Sequence, residues 1–340
     1  MKAAVLIPVY NAEKVLRDCL DSVLAAVREA EKEGYSFEVF CIDDGATDGS
    51  GAILDEYALR YPKTVRVRHQ ANRGMVATNN RLMDELPDRI EAFGFVDSDD
   101  YIHPKMYVRL SEALVRTQAD VAECGIIGVS FESAYPSGLP EHPAGGEVRV
   151  IEDMSAYWLR STSPGQWINK VNKLYRRTAV RDIRFRSGLN YEDDFFFNSE
   201  VNAVARRKVI VPESLYAYRK NPDSLNGELN MKRYFAAVTE RIRLTCKVFL
   251  SPNRVPAMFR EGFCEDLAKD AYRMCIRKNL RKNRDAGLRR ELFFAAGEFF
   301  RTVERTDGFR PVGLNPIQRA VYDCCKRGQY VCARLLASLS

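Results

Sequence analysis

The chain has 340 residues, 46% of them hydrophobic, and a net charge of +6. This supports one substantial buried core with an added module, and excludes a disordered or fibrous chain. Lys2 runs straight into the apolar stretch Ala3 to Ile7, too short and wrongly flanked for a secretory leader; with no apolar stretch of bilayer length, a cytosolic protein is expected.

Ala3 to Val9 reads as a buried strand, and Val15, Leu16, Leu20, Val23, Leu24 and Val27 then recur at helical spacing. Phe37 to Ile42 is a second strand, after which Asp48-Gly49-Ser50 can cap a helix carrying Ile53, Leu54, Tyr57 and Ala58. Strands follow at Val65 to His69, Phe93 to Val96 and Val121 to Ile127, with helical segments around Val76 to Leu86 and Met106 to Val115 between them. Such alternation predicts an α/β fold with a mostly parallel sheet covered on both faces. The Pro-, Gly- and Ser-rich stretch from Ser133 to Gly146 reads as a surface loop, and beyond it the pattern is mixed.

From about Met231 helix-period segments dominate, among them Val238 to Phe249, Phe263 to Ile276 and Leu288 to Val303. Residues 231–340 hold 23 Lys and Arg against 11 Asp and Glu, a net of +12, so residues 1–230 carry −6. Arg273, Arg277, Lys278, Arg281, Lys282, Arg284, Arg289 and Arg290 interleave with Leu280, Leu288, Leu292, Phe293 and Phe294. Basic amphipathic helices of this kind can rest on an anionic membrane or pack on the rest of the chain with their charges in water. No nucleic-acid motif accompanies them, so no nucleic-acid partner is expected. The nine cysteines are scattered without zinc-like spacing and read as reduced, mostly buried side chains, and His69, His103 and His142 lack metal-like spacing.

Chemistry concentrates in acidic clusters where predicted strands give way to loops: Asp43-Asp44, Asp97-Ser98-Asp99-Asp100 and, farther on, Glu192-Asp193-Asp194. Crowded carboxylates repel one another unless a cation or polar ligand shares their space, and open α/β sheets bind ligands at the carboxyl ends of their strands. The turn Pro8-Val9-Tyr10-Asn11 has no glycine to bring amides against phosphate, so bound phosphate must be neutralised by something else, for which a metal held by Asp97, Asp99 or Asp100 is the obvious candidate. Asp97 and Asp99 share a face of an extended segment, where one can bind Mn2+ or Mg2+ and the other a ribose hydroxyl, while Asp100 continues into the next loop. A buried Asp43 can accept the imide hydrogen of uracil, with Tyr10 stacked on the base. Each cluster also has a plain reading as turn or helix-cap residues. Lys173 and Arg176, with Arg177, Arg181, Arg184 and Arg186, form a basic stretch that can cover a diphosphate, approach an anionic acceptor or form a solvated face.

Taken in order, these motifs resemble the inverting glycosyltransferase family 2, of the GT-A fold, over roughly the first two thirds of the chain. Pro8-Val9-Tyr10-Asn11 resembles the family's opening strand end, Asp43 to Ser50 its base-binding loop, Asn72-Arg73-Gly74 its next loop and Val96 to Asp100 its DxD segment. Asn172 to Arg176 followed by Tyr191-Glu192-Asp193-Asp194 resembles bacterial members that build surface polysaccharides. The resemblance implies a GT-A domain over residues 1–230, with a nucleotide-binding half at 1–130 and an acceptor-side half at 131–230, followed by a basic helical region at 231–340. It further implies donor contacts from Pro8, Tyr10, Asp43, Asp44, Asn72, Gly74, Asp97 and Ser98, metal ligation by Asp99 with Asp100, and Asp193 as general base, with Glu192, Lys173 and Arg176 as further candidates. The implied reaction moves a hexosyl or N-acetylhexosaminyl group from a nucleotide diphosphate sugar, expected to be a UDP-sugar, to a glycan or lipid-linked acceptor, at the inner face of the cell membrane. Members commonly carry an arginine where this chain has Asn79, and a processive polymerase's Gln-x-x-Arg-Trp is absent. Two other readings stay open: a sugar-phosphate nucleotidyltransferase, whose glycine-rich loop with a basic residue after strand one is missing, and a non-catalytic nucleotide-sugar-binding protein.

Overall fold

The computed structural model describes residues 1–136, 139, 146–152, 169–186, 193–220, 280, 285–307 and 316–333. The chain forms two compact units, one comprising Met1–Met154, Ser163–Gly188 and Asp193–Ser224, the other the remaining residues.

The first unit is built on a nine-stranded sheet. Its strands are β1 (Lys2–Val9), β2 (Ser36–Asp43), β3 (Val65–His69), β4 (Ala92–Phe95), β5 (Tyr101–Ile102), β6 (Val121–Ser130), β7 (Arg149–Ile151), β8 (Lys173–Arg176) and β9 (Lys208–Lys220). They lie in the order β3-β2-β1-β4-β8-β6-β9-β5, with β7 also on β9. Pairing is parallel through β3-β2-β1-β4, as the alternation predicts, and mixed beyond, where β8 runs antiparallel to both β4 and β6. Ala3 to Val9 are all buried, since a central strand covered on both faces is apolar throughout rather than alternating.

Helices α1 (Leu16–Lys32), α2 (Ser50–Arg60), α3 (Met75–Asp84) and α4 (Met106–Thr117) fall where periodicity predicts them. On α1 the buried Leu16, Cys19, Leu20, Val23, Leu24 and Val27 form the stripe that packs against β2, β5 and α4. The mixed stretch supplies β7, β8, β9 and α5 (Asp193–Val204). Gly94 admits β8 beside β4, because a Cβ there would sit 2.5 Å from the Lys173 carbonyl oxygen. Phe197 of α5 stacks on Phe185 at 4.2 Å between ring centroids and meets Phe95 and Tyr175 edge-on. Burying a ring of this size contributes roughly 1.5–3 kcal/mol.

In the second unit, α6 (Ala286–Asp307) buries Leu292, Phe293, Ala296 and Phe300, and α7 (Pro316–Lys326) buries Val321, Tyr322 and Cys325. Phe300 and Tyr322 meet at 4.6 Å between centroids. Arg289 Nε donates to the Tyr330 hydroxyl at 2.7 Å and the Arg290 guanidinium lies over the same ring, so both arginines have partners within this unit. The helices expected at Val238 to Phe249 and Phe263 to Ile276, and the basic residues from Arg273 to Arg284, lie outside the described residues. Among the described residues no helix is long and apolar enough to cross a membrane.

Candidate active site

Because β2, β1 and β4 are adjacent and parallel, their carboxyl ends bring Asp43-Asp44, Tyr10 and the segment from Asp97 to Asp100 to one edge of the sheet. Pro8 is buried within β1, and Tyr10, the first residue beyond Val9, is 51% exposed. The left-handed Asn11 accepts the Thr47 N–H at 2.8 Å through Oδ1, which ties the exit of β1 to the loop after β2. Asp48 Oδ1 accepts the Ser50 N–H at 2.9 Å in the turn before α2, whose N-cap is Gly49 with no side-chain cap.

Asp43 Oδ1 accepts the Ala46 N–H at 2.8 Å, and Oδ2 lies 2.8 Å from His69 Nδ1. His69 Nε2 is in turn 3.1 Å from Asp55 Oδ1. The hydrogen bond to Asp43, helped by Asp55 and opposed by burial, raises the His69 pKa above its usual value. Spacing gives His69 no role, yet parallel pairing of β2 with β3 sets it directly opposite Asp43. That register is the signal that finds it.

Asp44 closes the neighbouring loop. Its Oδ1 accepts from the Arg73 N–H at 2.8 Å and from Gln70 Nε2 at 2.7 Å, and its Oδ2 from the Gly74 N–H at 2.9 Å. Gly45 permits this approach, since its φ of 72° is left-handed and a Cβ would stand 2.7 Å from the Asn72 nitrogen. Asn72 and Gly74 are left exposed on the rim. Asn79 is fully buried, so it does not stand in for an arginine at the loop's surface.

The segment after β4 divides differently from the sequence expectation. Asp97, Ser98 and Asp99 are half-buried at the edge, whereas Asp100, grouped with Asp99 as a metal ligand, is buried and turned inward. Its Oδ2 accepts from the Tyr216 hydroxyl at 2.6 Å and its Oδ1 from the Arg219 N–H at 2.8 Å, which occupies both oxygens in holding β9. Burial, then the charges of Asp99 and Asp97, push the Asp100 carboxyl well above the usual carboxylate range. The buried Arg219 guanidinium pairs with Asp18, donates to Ser133 O at 2.9 Å and lies over the Tyr101 ring. Asp97 N–H donates to the Tyr216 hydroxyl at 3.2 Å, and Asp97 Oδ1 lies 2.7 Å from Lys170 Nζ. Lys170, only 2% exposed, also reaches Asp194 Oδ1 at 3.7 Å and donates its backbone N–H to Asp194 Oδ2 at 3.0 Å. Lys170, Tyr216 and Arg219 have no local signal in the sequence.

Lys173 and Arg176, candidates for the diphosphate, serve the sheet instead. Lys173 is buried, with Nζ 2.6 Å from Asn169 O, 2.9 Å from Asn172 Oδ1 and 3.5 Å from Glu123; burial, against the pull of Glu123, brings its ammonium down to about 8. Arg176 donates to the carbonyls of Ala119 and Leu114. Arg184 pairs with Asp84 and Arg186 with Glu200, so much of the basic stretch is neutralised locally. Asp193 is the first residue of α5; its side chain and all of Glu192 lie outside the described residues.

Among the described residues no group of three His, Cys, Asp or Glu side chains is gathered to enclose a metal ion. The edge suits Mn2+ or Mg2+ held by few protein oxygens together with substrate phosphate. Asp99 fits that role, because burial and then the charge of Asp97 push its carboxyl up to about 6, a cost that a cation relieves.

A family profile described as glycosyl transferase family 2 matches residues 4–210. The chain is 30% identical to the uncharacterized glycosyltransferase EpsJ of Bacillus subtilis over 65% of its length, and spans 62% of that protein. It is 28% identical to the uncharacterized glycosyltransferase YibD of Escherichia coli, over 89% of this chain and 87% of the other. Among solved structures, residues 1–349 of TarS from Staphylococcus aureus in complex with UDP-GlcNAc superpose with a TM-score of 0.74 at 20% identity, covering 99% of this chain and 91% of that one. A mannosyltransferase from Pyrobaculum calidifontis in complex with GDP-Man and Mn2+ gives a TM-score of 0.55 at 13% identity, covering 99% of this chain and 85% of that one. These likenesses bear out the expected GT-A fold.

Proposed function

Because the chain belongs to glycosyl transferase family 2, we propose that it moves a sugar from a UDP-sugar to a hydroxyl of a glycan or lipid-linked acceptor, inverting the anomeric centre. The observation that carries this reading is the meeting of Asp43, Asp97 and Asp99 at the carboxyl ends of adjacent parallel strands, beside the exposed ring of Tyr10. The UDP-GlcNAc complex of the Staphylococcus aureus protein supports the choice of nucleotide.

In this reading Asp43, held by the Ala46 amide and His69, accepts the imide hydrogen of uracil while Tyr10 covers the base. Asp97 accepts from a ribose hydroxyl, and Pro8, Ser98, Asn72 and Gly74 shape the walls. Asp99 would hold a Mn2+ or Mg2+ ion, which would supply neutralisation of the charge that develops on the departing diphosphate. Asp193 takes the proton of the acceptor hydroxyl as its oxygen bonds to the anomeric carbon; the bond to the diphosphate oxygen breaks and its electron pair leaves with UDP. One displacement inverts the centre without a covalent enzyme intermediate. The net +12 of residues 231–340 supports a peripheral place on an anionic membrane face, where a lipid-linked acceptor would lie.

Thermal unfolding against UDP, GDP, CDP and ADP, with and without Mn2+, tests the donor site. UDP with Mn2+ at about a hundred times its dissociation constant should add roughly 2.7 kcal/mol of stability, and Asp99→Ala should lose that gain. Asp193→Asn should keep the UDP response while transfer falls about 100-fold or more. Unchanged transfer in Asp193→Asn removes the base assignment, and a response to another nucleotide replaces the donor class.

A further inference from the structure

We propose that Lys170 is a positioning residue for transfer, its buried ammonium setting the distance between the donor-side carboxylate Asp97 and the acceptor-side start of α5. The inference rests on the transferase reading above. Three observations meet at this side chain. First, Nζ lies 2.7 Å from Asp97 Oδ1 and 3.7 Å from Asp194 Oδ1, so one cation stands between two carboxylates carried by different elements. Second, the Lys170 backbone is fastened to α5: its N–H donates to Asp194 Oδ2 at 3.0 Å, and its carbonyl lies 3.1 Å from the Tyr175 hydroxyl, which is 2.8 Å from Asn198 Oδ1. Asn198 Nδ2 closes the circuit on Asp194 O at 3.0 Å. Third, Lys170 is 2% exposed, so the pair it makes with Asp97 is shielded from the water that weakens surface ion pairs.

The turn before β8 and the first turn of α5 are thus one piece, and the Lys170 side chain is its arm to the exit of β4. Without the ammonium the two carboxylates repel, and the start of α5, where Asp193 sits, is pushed away from the donor edge. With it, Asp97 Oδ1 is occupied and Oδ2 is left for a donor hydroxyl, while metal ligation falls to Asp99. Removing one partner of a buried pair strands the other charge, so a purely structural role would show as lost stability alone, whereas a positioning role shows as lost kcat at retained donor binding.

The test uses the full chain. Lys170→Met keeps an unbranched side chain, one atom shorter, and removes its charge. UDP should still shift its melting, and the donor KM should move less than about threefold, but kcat should fall about 100-fold, the loss expected for misplacement of reacting groups by an ångström. Adding Asp194→Asn removes one of the two repelling carboxylates and should restore about tenfold of that kcat. If Lys170→Met does not fold, Lys170→Gln replaces it with the same expectations. Lys170→Met at wild-type kcat and KM, or a kcat loss that Asp194→Asn leaves unrelieved, overturns the inference and leaves the transferase reading standing. No transfer by the wild-type chain from any nucleotide sugar overturns both.

Discussion

Asp43-Asp44 and the segment from Asp97 to Asp100 leave neighbouring parallel strands with similar acidic sequences, yet they reach their partners over very different distances along the chain. Asp44 binds backbone amides 29 and 30 residues away, whereas Asp100 holds Tyr216 and Arg219, 116 and 119 residues away. In the first segment both acids are buried and hold loop partners, whereas in the second Asp100 builds the wall and Asp97 and Asp99 lie half-buried at the edge. The first wall is a local loop closure; the second exists only when β9 is in its place beside β6 and β5. A dense run of carboxylates is therefore no inventory of ligands, because some of its members hold the others in position.

Three substitutions would sharpen or break this comparison. Asp100→Ala should cost the most, about 3 kcal/mol by urea unfolding, because it strands the Tyr216 hydroxyl and the Arg219 amide in a buried place. A loss under about 1 kcal/mol would mean that Asp100 is free to serve as a ligand after all. Asp44→Ala should cost about 2 kcal/mol, since the amides it releases lie nearer to water, and should speed proteolysis at Arg73; equal costs for the two variants would erase the distinction between local and distant walls. His69→Gln should change stability by less than about 1 kcal/mol, because the ring is half exposed and screened. Its effect has a sign in pH. The folded-state pKa of His69 is raised above the ordinary 6.5, so its contribution is complete below that value and is lost as pH rises through the higher folded one. Urea titrations of wild type should show this decline as pH rises beyond 6.5 and those of His69→Gln should not.

The parallel half of the sheet was legible because each strand is a short apolar run between helix-period segments. The second half was not. β8 is four residues long, and β9 contains Pro212 and Glu213 within a burial pattern that lacks clean alternation, next to a register shift against β6 at Gly125. The edge residues from Tyr10 to Asp99 could be read from their place at strand ends. The inward turn of Asp100 could not, since nothing local announces Arg219. His69 lay within reach of the sequence, because aligning β2 with β3 pairs it with Asp43, but a search for metal-like spacing passes over a histidine whose partner is a carboxylate. The basic stretch misled for a physical reason: charge runs say nothing of whether carbonyls or carboxylates already await them, and Arg176 and Arg186 found theirs within the fold.

The long reach from Asp100 to Arg219 also sets an order of events during synthesis. Residues 1–130 leave the ribosome with the parallel strands β1 to β4 complete, but the 119 residues that separate Asp100 from Arg219 take about 6–24 s to translate at usual rates. Over that interval the acidic segment after β4 has neither Tyr216 nor Arg219, and Lys170 joins it only partway through. The carboxyl edge of this sheet is thus assembled in two instalments, with the partners of Asp44 in place before those that hold Asp100.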